Sequence, residues 1–166
     1  MKGTILEKII DAKRVHVEAA KRTADMSRLV EDAQDVRTKA QSHRLREALS
    51  DRSRINLIAE FKRASPSKGV INDSLDPVMA AINYEKGGAA SISVLTEEDF
   101  FKGSIDDLKA IRKAVDLPIL RKDFTIDEFQ IYESAAAGAD AILLIVAVLT
   151  PNDLNSFIRL TEDDLK

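Results

Sequence analysis

From residue 55 onward the chain alternates apolar, strand-length runs with capped helical segments, and that alternation limits the folds open to it. The first run holds Ile55, Leu57, Ile58 and Ala59. The others are Ala90-Ser91-Ile92-Ser93-Val94-Leu95, Pro118-Ile119-Leu120-Arg121-Lys122 and Ala141-Ile142-Leu143-Leu144-Ile145-Val146. Such runs, bounded by turn residues, read as strands buried on both faces. Asp76-Pro77 opens a helix after the first run and Gly87-Gly88 closes it. Ser104-Ile105-Asp106-Asp107 caps the next, with Leu108 and Ile111 as its buried stripe. Asp127 opens a third, in which Phe129, Tyr132 and Ala136 can face the sheet before Gly138 ends it. Thr150-Pro151-Asn152-Asp153 opens a fourth. Strands joined through helices run parallel with right-handed crossovers. The expected fold class is therefore α/β, closed either as an open doubly wound sheet or as part of a (β/α)₈ barrel. No G-x-G-x-x-G follows the first strand, which argues against a dinucleotide-binding sheet. In both closures the site lies at the carboxyl ends of the strands.

Residues 1–54 have a different pattern. Thr4-Ile5-Leu6-Glu7 matches a capping box, and Ile5, Ile9, Ala12, Val17 and Ala20 keep helical spacing to about Lys21. A second helix runs through Met26, Leu29, Val30, Ala33 and Val36, and a short third carries Leu45 and Leu49. These helices are only moderately apolar, as a cover on something larger would be. They hold 13 Lys/Arg against 9 Asp/Glu, a net of +4, while residues 55–166 hold 12 against 19, a net of −7. The basic part suits nucleic acid, phosphate or its acidic neighbour. Nucleic acid fits worst, because residues 1–54 contain no aromatic for base stacking.

Composition removes several other classes. There is no cysteine, hence no disulfide or thiolate chemistry, and only two histidines, His16 and His43, both read as exposed helix residues. No apolar run reaches the roughly 18 residues of a membrane span. The N-terminal stretch has charges where a signal peptide would be apolar, so a cytoplasmic protein is expected.

The polar residues at the strand ends carry the chemistry. Glu60 and Lys62 alternate onto one face where the first strand gives way to the loop Ser65-Pro66-Ser67-Lys68-Gly69. An acid and a base beside hydroxyls and cations suit an anionic small molecule. Leu120, Lys122 and Phe124 likewise share a face. A lysine among apolar side chains is pushed toward its neutral form, and a carboxylate such as Glu60 pulls it back. Lys122 could serve as a general acid, as a Schiff-base amine, or simply as a structural partner of Glu60. Lys62 could hold a phosphate or carboxylate, or be a solvated strand-end lysine. Phe100-Phe101, in a loop beside Gly103, would line an aromatic pocket or staple the loop. Leu144 and Val146 read as core, with a pocket wall as the second reading.

Taken together, these stretches resemble the indole-3-glycerol-phosphate synthase family of tryptophan biosynthesis. Leu57 to Gly69 is similar to that family's first-strand signature. Ser93-Val94-Leu95-Thr96-Glu97 with Phe100-Phe101-Lys102-Gly103-Ser104, then Pro118 to Phe124, and Gly138 to Ile145 resemble its next three strands. The resemblance implies a helical extension over residues 1–54 and the first half of a TIM barrel over 55–166. It implies a carboxy-lyase that closes the ring of 1-(2-carboxyphenylamino)-1-deoxyribulose 5-phosphate, with loss of carbon dioxide and water. By similarity Lys122 is the general acid, Glu60 its orienter and Lys62 the anchor for the substrate's anions. Ser65 and Pro66 shape the loop, and Phe101, Phe124 and Leu144 are wall residues. Neither metal nor organic cofactor is implied. The family's fifth strand carries a glutamate, its sixth an asparagine, and its last two bear phosphate-binding loops, none of which this sequence contains. The expectation is a fragment or truncated gene product, inactive alone, that self-associates through open sheet edges or joins a complementing C-terminal half.

Overall fold

The computed structural model describes residues 3–165; Met1, Lys2 and Lys166 lie outside the described residues. Four parallel strands form one sheet: β1 (Ile58–Phe61), β4 (Ser91–Leu95), β5 (Ile119–Lys122) and β6 (Ala141–Ile142), in the order β1-β4-β5-β6. Between β1 and β4 a two-residue hairpin pairs β2 (Ala64–Ser65) with β3 (Gly69–Val70). Helices α4 (Pro77–Lys86), α5 (Ile105–Ala114), α6 (Glu128–Ala136) and α7 (Pro151–Arg159) follow the sheet strands in turn. Each new strand is added on the same side of the previous one. A doubly wound sheet instead reverses its order at a switch point. The architecture is thus that of the first four units of a (β/α)₈ barrel, preceded by α1 (Ile5–Thr23), α2 (Met26–Lys39) and α3 (Arg44–Ala48).

Side-chain alternation divides the sheet. Ala59, Phe61, Ile92, Val94 and Ile119 turn toward α4 and α5, where they meet Leu108 and Ile111, themselves fully buried. Burying each such large side chain contributes about 1.5–3 kcal/mol. The other face carries a row of Glu60, Ser93, Leu120 and Ala141 set by the strand register. This corrects the expectation that the first strand is buried on both faces. It begins at Ile58, and Ile55, Leu57 and Ile58 are 92%, 58% and 41% exposed. The reason is that β1 ends the sheet and packs on one face only.

The fourth strand is also shorter than read. β6 pairs with β5 only at Ala141 and Ile142, and Val146 enters a single 3₁₀ turn, Val146–Val148, largely exposed rather than core. Likewise, residues 65–69 are not a plain loop: Ser65 and Gly69 pair across the hairpin.

The basic helices lie on the acidic barrel. Lys13 pairs with Asp123 at 2.9 Å, Lys21 with Asp127 at 2.8 Å, and Arg44 with Asp116 at 2.9 Å. The positive charge of the first segment therefore meets its own chain. Helix α2 packs along α6. Tyr132 and Ala136 of α6 pack in the cluster that holds both Ala33 of α2 and Ile142 of β6, and Phe129 is buried. Arg121 of β5 donates to the Ser134 hydroxyl and to the Gln130 backbone carbonyl, while the Gln130 side chain donates to the Phe124 carbonyl and accepts from the Ile126 amide. His16 is half-buried, with its ring 3.1 Å from Glu98 and 3.6 Å from Asp99. His43 caps α3 in the left-handed region at φ 57°.

The most buried of these ion pairs is a cluster beneath Lys122. Asp123 is 3% exposed and receives Lys13, Arg121 at 3.2 Å and the Thr96 hydroxyl at 2.7 Å. Burial alone pushes its carboxyl up. Arg121, Lys13 and the hydrogen bonds from Thr96 and Lys13 overcome that and hold it below the ordinary carboxylate range. A carboxyl depressed by folding stabilises at pH above its unfolded value, near 4, and that stabilisation is lost as pH falls through the folded value. Asp123→Asn should therefore cost about 3–5 kcal/mol at neutral pH, because Lys13 would stay buried without its anion and Arg121 would keep only Glu133. It should also flatten the decline of stability below about pH 4. Urea unfolding followed by circular dichroism from acid to neutral pH checks this; a variant with the parent's acid slope would show that Asp123 is not the titrating group.

Candidate active site

The row of polar residues at the carboxyl end of the sheet is built by two strands and the segments that leave them. Glu60 is the third residue of β1, and Lys62 follows just after the strand. With side chains alternating, both emerge on the face opposite Phe61. Lys122 closes β5, in register with Leu95 of the intervening β4. Ser93, opposite Glu60, is small, so nothing bulky separates Glu60 from the β5 side.

The result is one carboxylate facing two ammonium groups. Glu60 Oε1 accepts from Lys62 Nζ at 2.6 Å, and Lys122 Nζ stands 3.7 Å from Oε2. The first contact is a charge-assisted hydrogen bond and the second an ion pair beyond hydrogen-bond length. Glu60's tighter partner is thus Lys62, not Lys122. About one third of each of the three side chains is exposed. Ion pairs in such wet surroundings contribute only about 0–1 kcal/mol. Stability is therefore a weak reason for this triad, while an open Lys122 can reach an anion or carbonyl.

Aromatic rings flank the triad. Phe124 follows Lys122 by two residues and its ring lies 6.3 Å from that of Phe101, tilted by 40°. This distance suits an attractive tilted pair. Both rings are half-buried rather than free in solvent. The loop of Phe101 also holds the hairpin, because the Ala64 amide donates to the Phe101 carbonyl at 3.1 Å. Arg63 tightens the same junction through a two-pronged contact with Asp107 of α5 and lies over the Phe61 ring at 4.9 Å. Its partner carboxylate raises the guanidinium's already high pKa. Ser65 is buried, and its hydroxyl accepts from the Lys68 amide, so its side chain is engaged in the turn. Pro66 sits exposed at the tip.

Glu60, Lys62, Lys122, Phe101 and Phe124 thus share one end of the sheet, with Ser65 and Pro66 on the adjoining hairpin. Leu144 does not join them. It packs with Ile142 on the helix side, against the cluster of Ile131, Ala135 and Phe157. Ala141 shares a row with Leu120, so the two-residue repeat carries Leu143 rather than Leu144 toward that row. A one-residue count along the run 141–146 separates the two, and the sequence offers both as leucine. Two further residues escaped the sequence reading. Glu97, 1% exposed, accepts the amides of Phe100 and Phe101, and Asp123 accepts the amide of Phe124 at 2.8 Å. The signal for both was an acid within two residues of the end of a buried strand.

Residues 6–164 match the family model described as indole-3-glycerol phosphate synthase. A protein of that name from Carboxydothermus hydrogenoformans is 46% identical over 160 residues, covering 95% of this chain and 61% of the relative. Its namesake from Chlorobium luteolum is 48% identical over 157 residues, covering 94% of the chain and 59% of the relative. That from Micrococcus luteus is 46% identical over 160 residues, covering 96% and 60%. The chain spans about three fifths of the length of these curated relatives. With the match running from the first helix to the last, the chain belongs to the indole-3-glycerol phosphate synthase family.

Proposed function

We propose that this chain supplies one wall of the site that converts 1-(2-carboxyphenylamino)-1-deoxyribulose 5-phosphate to indole-3-glycerol phosphate. One observation carries the reading: Glu60 faces both Lys62 and Lys122 at the carboxyl end of the sheet, with Phe101 and Phe124 beside them. The substrate brings an aromatic ring, a carboxylate, a carbonyl and a phosphate. Lys122 gives a proton to the carbonyl oxygen as the aryl carbon that bears the carboxylate attacks the carbonyl carbon. Carbon dioxide leaves from that aryl carbon. The new hydroxyl then departs as water, with loss of a proton, to close the indole. Lys62 holds an anionic group of the substrate, as a mobile point charge does well. Glu60 aims both ammonium groups. Phe101, Phe124 and Leu143 flank the aromatic ring, while Ser65 and Pro66 shape the hairpin rim. Among the described residues no helix is long and apolar enough to cross a membrane, and a cytoplasmic setting goes with this reading.

A second reading concerns how the sheet is completed. The outer edge of β1 is unpaired among the described residues, and Ile55 and Leu57 beside it are exposed. Such an edge is a template for another strand. A complementing half, or a second copy, would cover it.

The test of the chemical reading appends to this chain the part of the Carboxydothermus hydrogenoformans relative that it does not match. Indole-3-glycerol phosphate formation is then followed by fluorescence. Lys122→Met should lower kcat by about 10²–10⁴-fold, the usual contribution of a positioned acid. Full activity in that variant would remove Lys122 from the proton step. If Glu60 acts by aiming Lys122, the pair should be strongly non-additive: Glu60→Gln slows the parent but adds little to Lys122→Met. Multiplying losses would instead give Glu60 a separate task.

A further inference from the structure

Glu97 stands apart from the groups used so far. It is the residue after Thr96 at the end of β4, it is 1% exposed, and among the described residues no lysine, arginine or histidine pairs with it. Its partners are backbone amides. Oε2 accepts from Phe100 at 2.8 Å and from Phe101 at 3.0 Å, and Oε1 accepts from Asp99 at 3.3 Å. The Glu97 carbonyl accepts from Gly103 at 2.8 Å, closing the loop at its base. The loop is wound so tightly that Lys102 takes φ 53°, and a Cβ on Gly103 would lie 2.2 Å from the Leu95 carbonyl oxygen.

A buried carboxylate without a cation is costly unless its lone pairs are filled, and here the loop fills them. The loop is therefore folded around the side chain. Phe101 leaves it with two tasks: its carbonyl holds the hairpin through Ala64, and its ring meets Phe124. We infer that Glu97 is a positioning residue that sets the Phe101 ring against Phe124 and so fixes the aromatic wall between the segments that follow β1, β4 and β5. The ligand class is an aromatic ring bearing a carboxylate, and this part rests on the reading under Proposed function.

The test uses the chain as it is, with Glu97→Gln. Glutamine keeps the length but replaces one carboxylate oxygen by an N–H₂, which cannot accept from the backbone N–H groups it faces, so the loop is held by fewer and weaker bonds. The Phe101–Phe124 ring NOEs should disappear, and the Phe100 and Phe101 amide protons should exchange at least about tenfold faster, as expected when a protecting bond opens locally. Binding of 2-aminobenzoate, followed by its own fluorescence, should weaken by about tenfold, the loss of one well-placed contact. Asp140→Asn, which breaks the buried pair with Arg112 at the opposite end of the sheet, is the control. It should lower thermal stability while leaving both the NOEs and the binding unchanged. Ring NOEs that persist in Glu97→Gln, or a loss of them in Asp140→Asn as well, would overturn the inference. If the parent itself does not bind 2-aminobenzoate, the proposed ligand class fails, and the NOEs still decide the part assigned to Glu97.

Discussion

The buried ion cluster of Lys13, Arg121 and Asp123 governs how the site end of this fold is held. Arg121 and Asp123 stand on either side of Lys122 in sequence, and strand alternation sends them to the helix side while Lys122 goes to the open side. Arg121 is anchored to Thr96, Ser134 and the Gln130 carbonyl, and it also contacts Glu133 at 2.8 Å. Asp123 then fixes the amide of Phe124 and receives Lys13 from the first helix. Three consecutive charged residues thus divide between the two faces of the sheet: Lys122 in the middle is partly open, and Arg121 and Asp123 beside it are buried. Arg121 and Asp123 are each satisfied by several partners, the condition under which such a network rigidifies rather than destabilises.

How much of this could be read from residues alone differs between layers. Helix ends were legible because capping is local: Thr4, Asp76, Ser104, Asp127 and Thr150 each accept an amide from the first turn of the helix they open, although Asp107 turns to Arg63 instead of closing a capping box with Ser104. The strand–helix alternation and the shared face of Glu60, Lys62 and Lys122 followed from periodicity. Burial was misread where it depends on what lies alongside. Ile55 and Leu57 look like core but flank an edge strand. Leu144 against Leu143 is a question of register, to which a run of similar apolar residues gives no answer. Glu97 and Asp123 drew no notice because their partners are backbone amides or come from elements far away in sequence.

The charge imbalance between the two stretches of chain finds its account in the same contacts. A basic patch on a free domain would point to a polyanion. Here Lys13, Lys21 and Arg44 are drawn against Asp123, Asp127 and Asp116, so the excess is largely consumed inside the molecule. Lys21, tied to Asp127 by a hydrogen bond, has its pKa raised by that partner.

The parallel sheet has one more effect. All four strands end on the same side, so α4, α5, α6 and α7 all begin there. Each helix carries roughly half a positive elementary charge at its start. Four helix starts therefore face the rim that holds Lys62 and Lys122, and the acids in their caps and first turns, among them Asp76, Asp106, Asp127 and Asp153, offset part of that charge. An approaching anion meets a potential made by backbone as well as by side chains. Its reach into solvent is about 8–10 Å at ordinary salt, and it shrinks as salt is added. The field at that rim is thus set by the topology and the caps as well as by the two lysines.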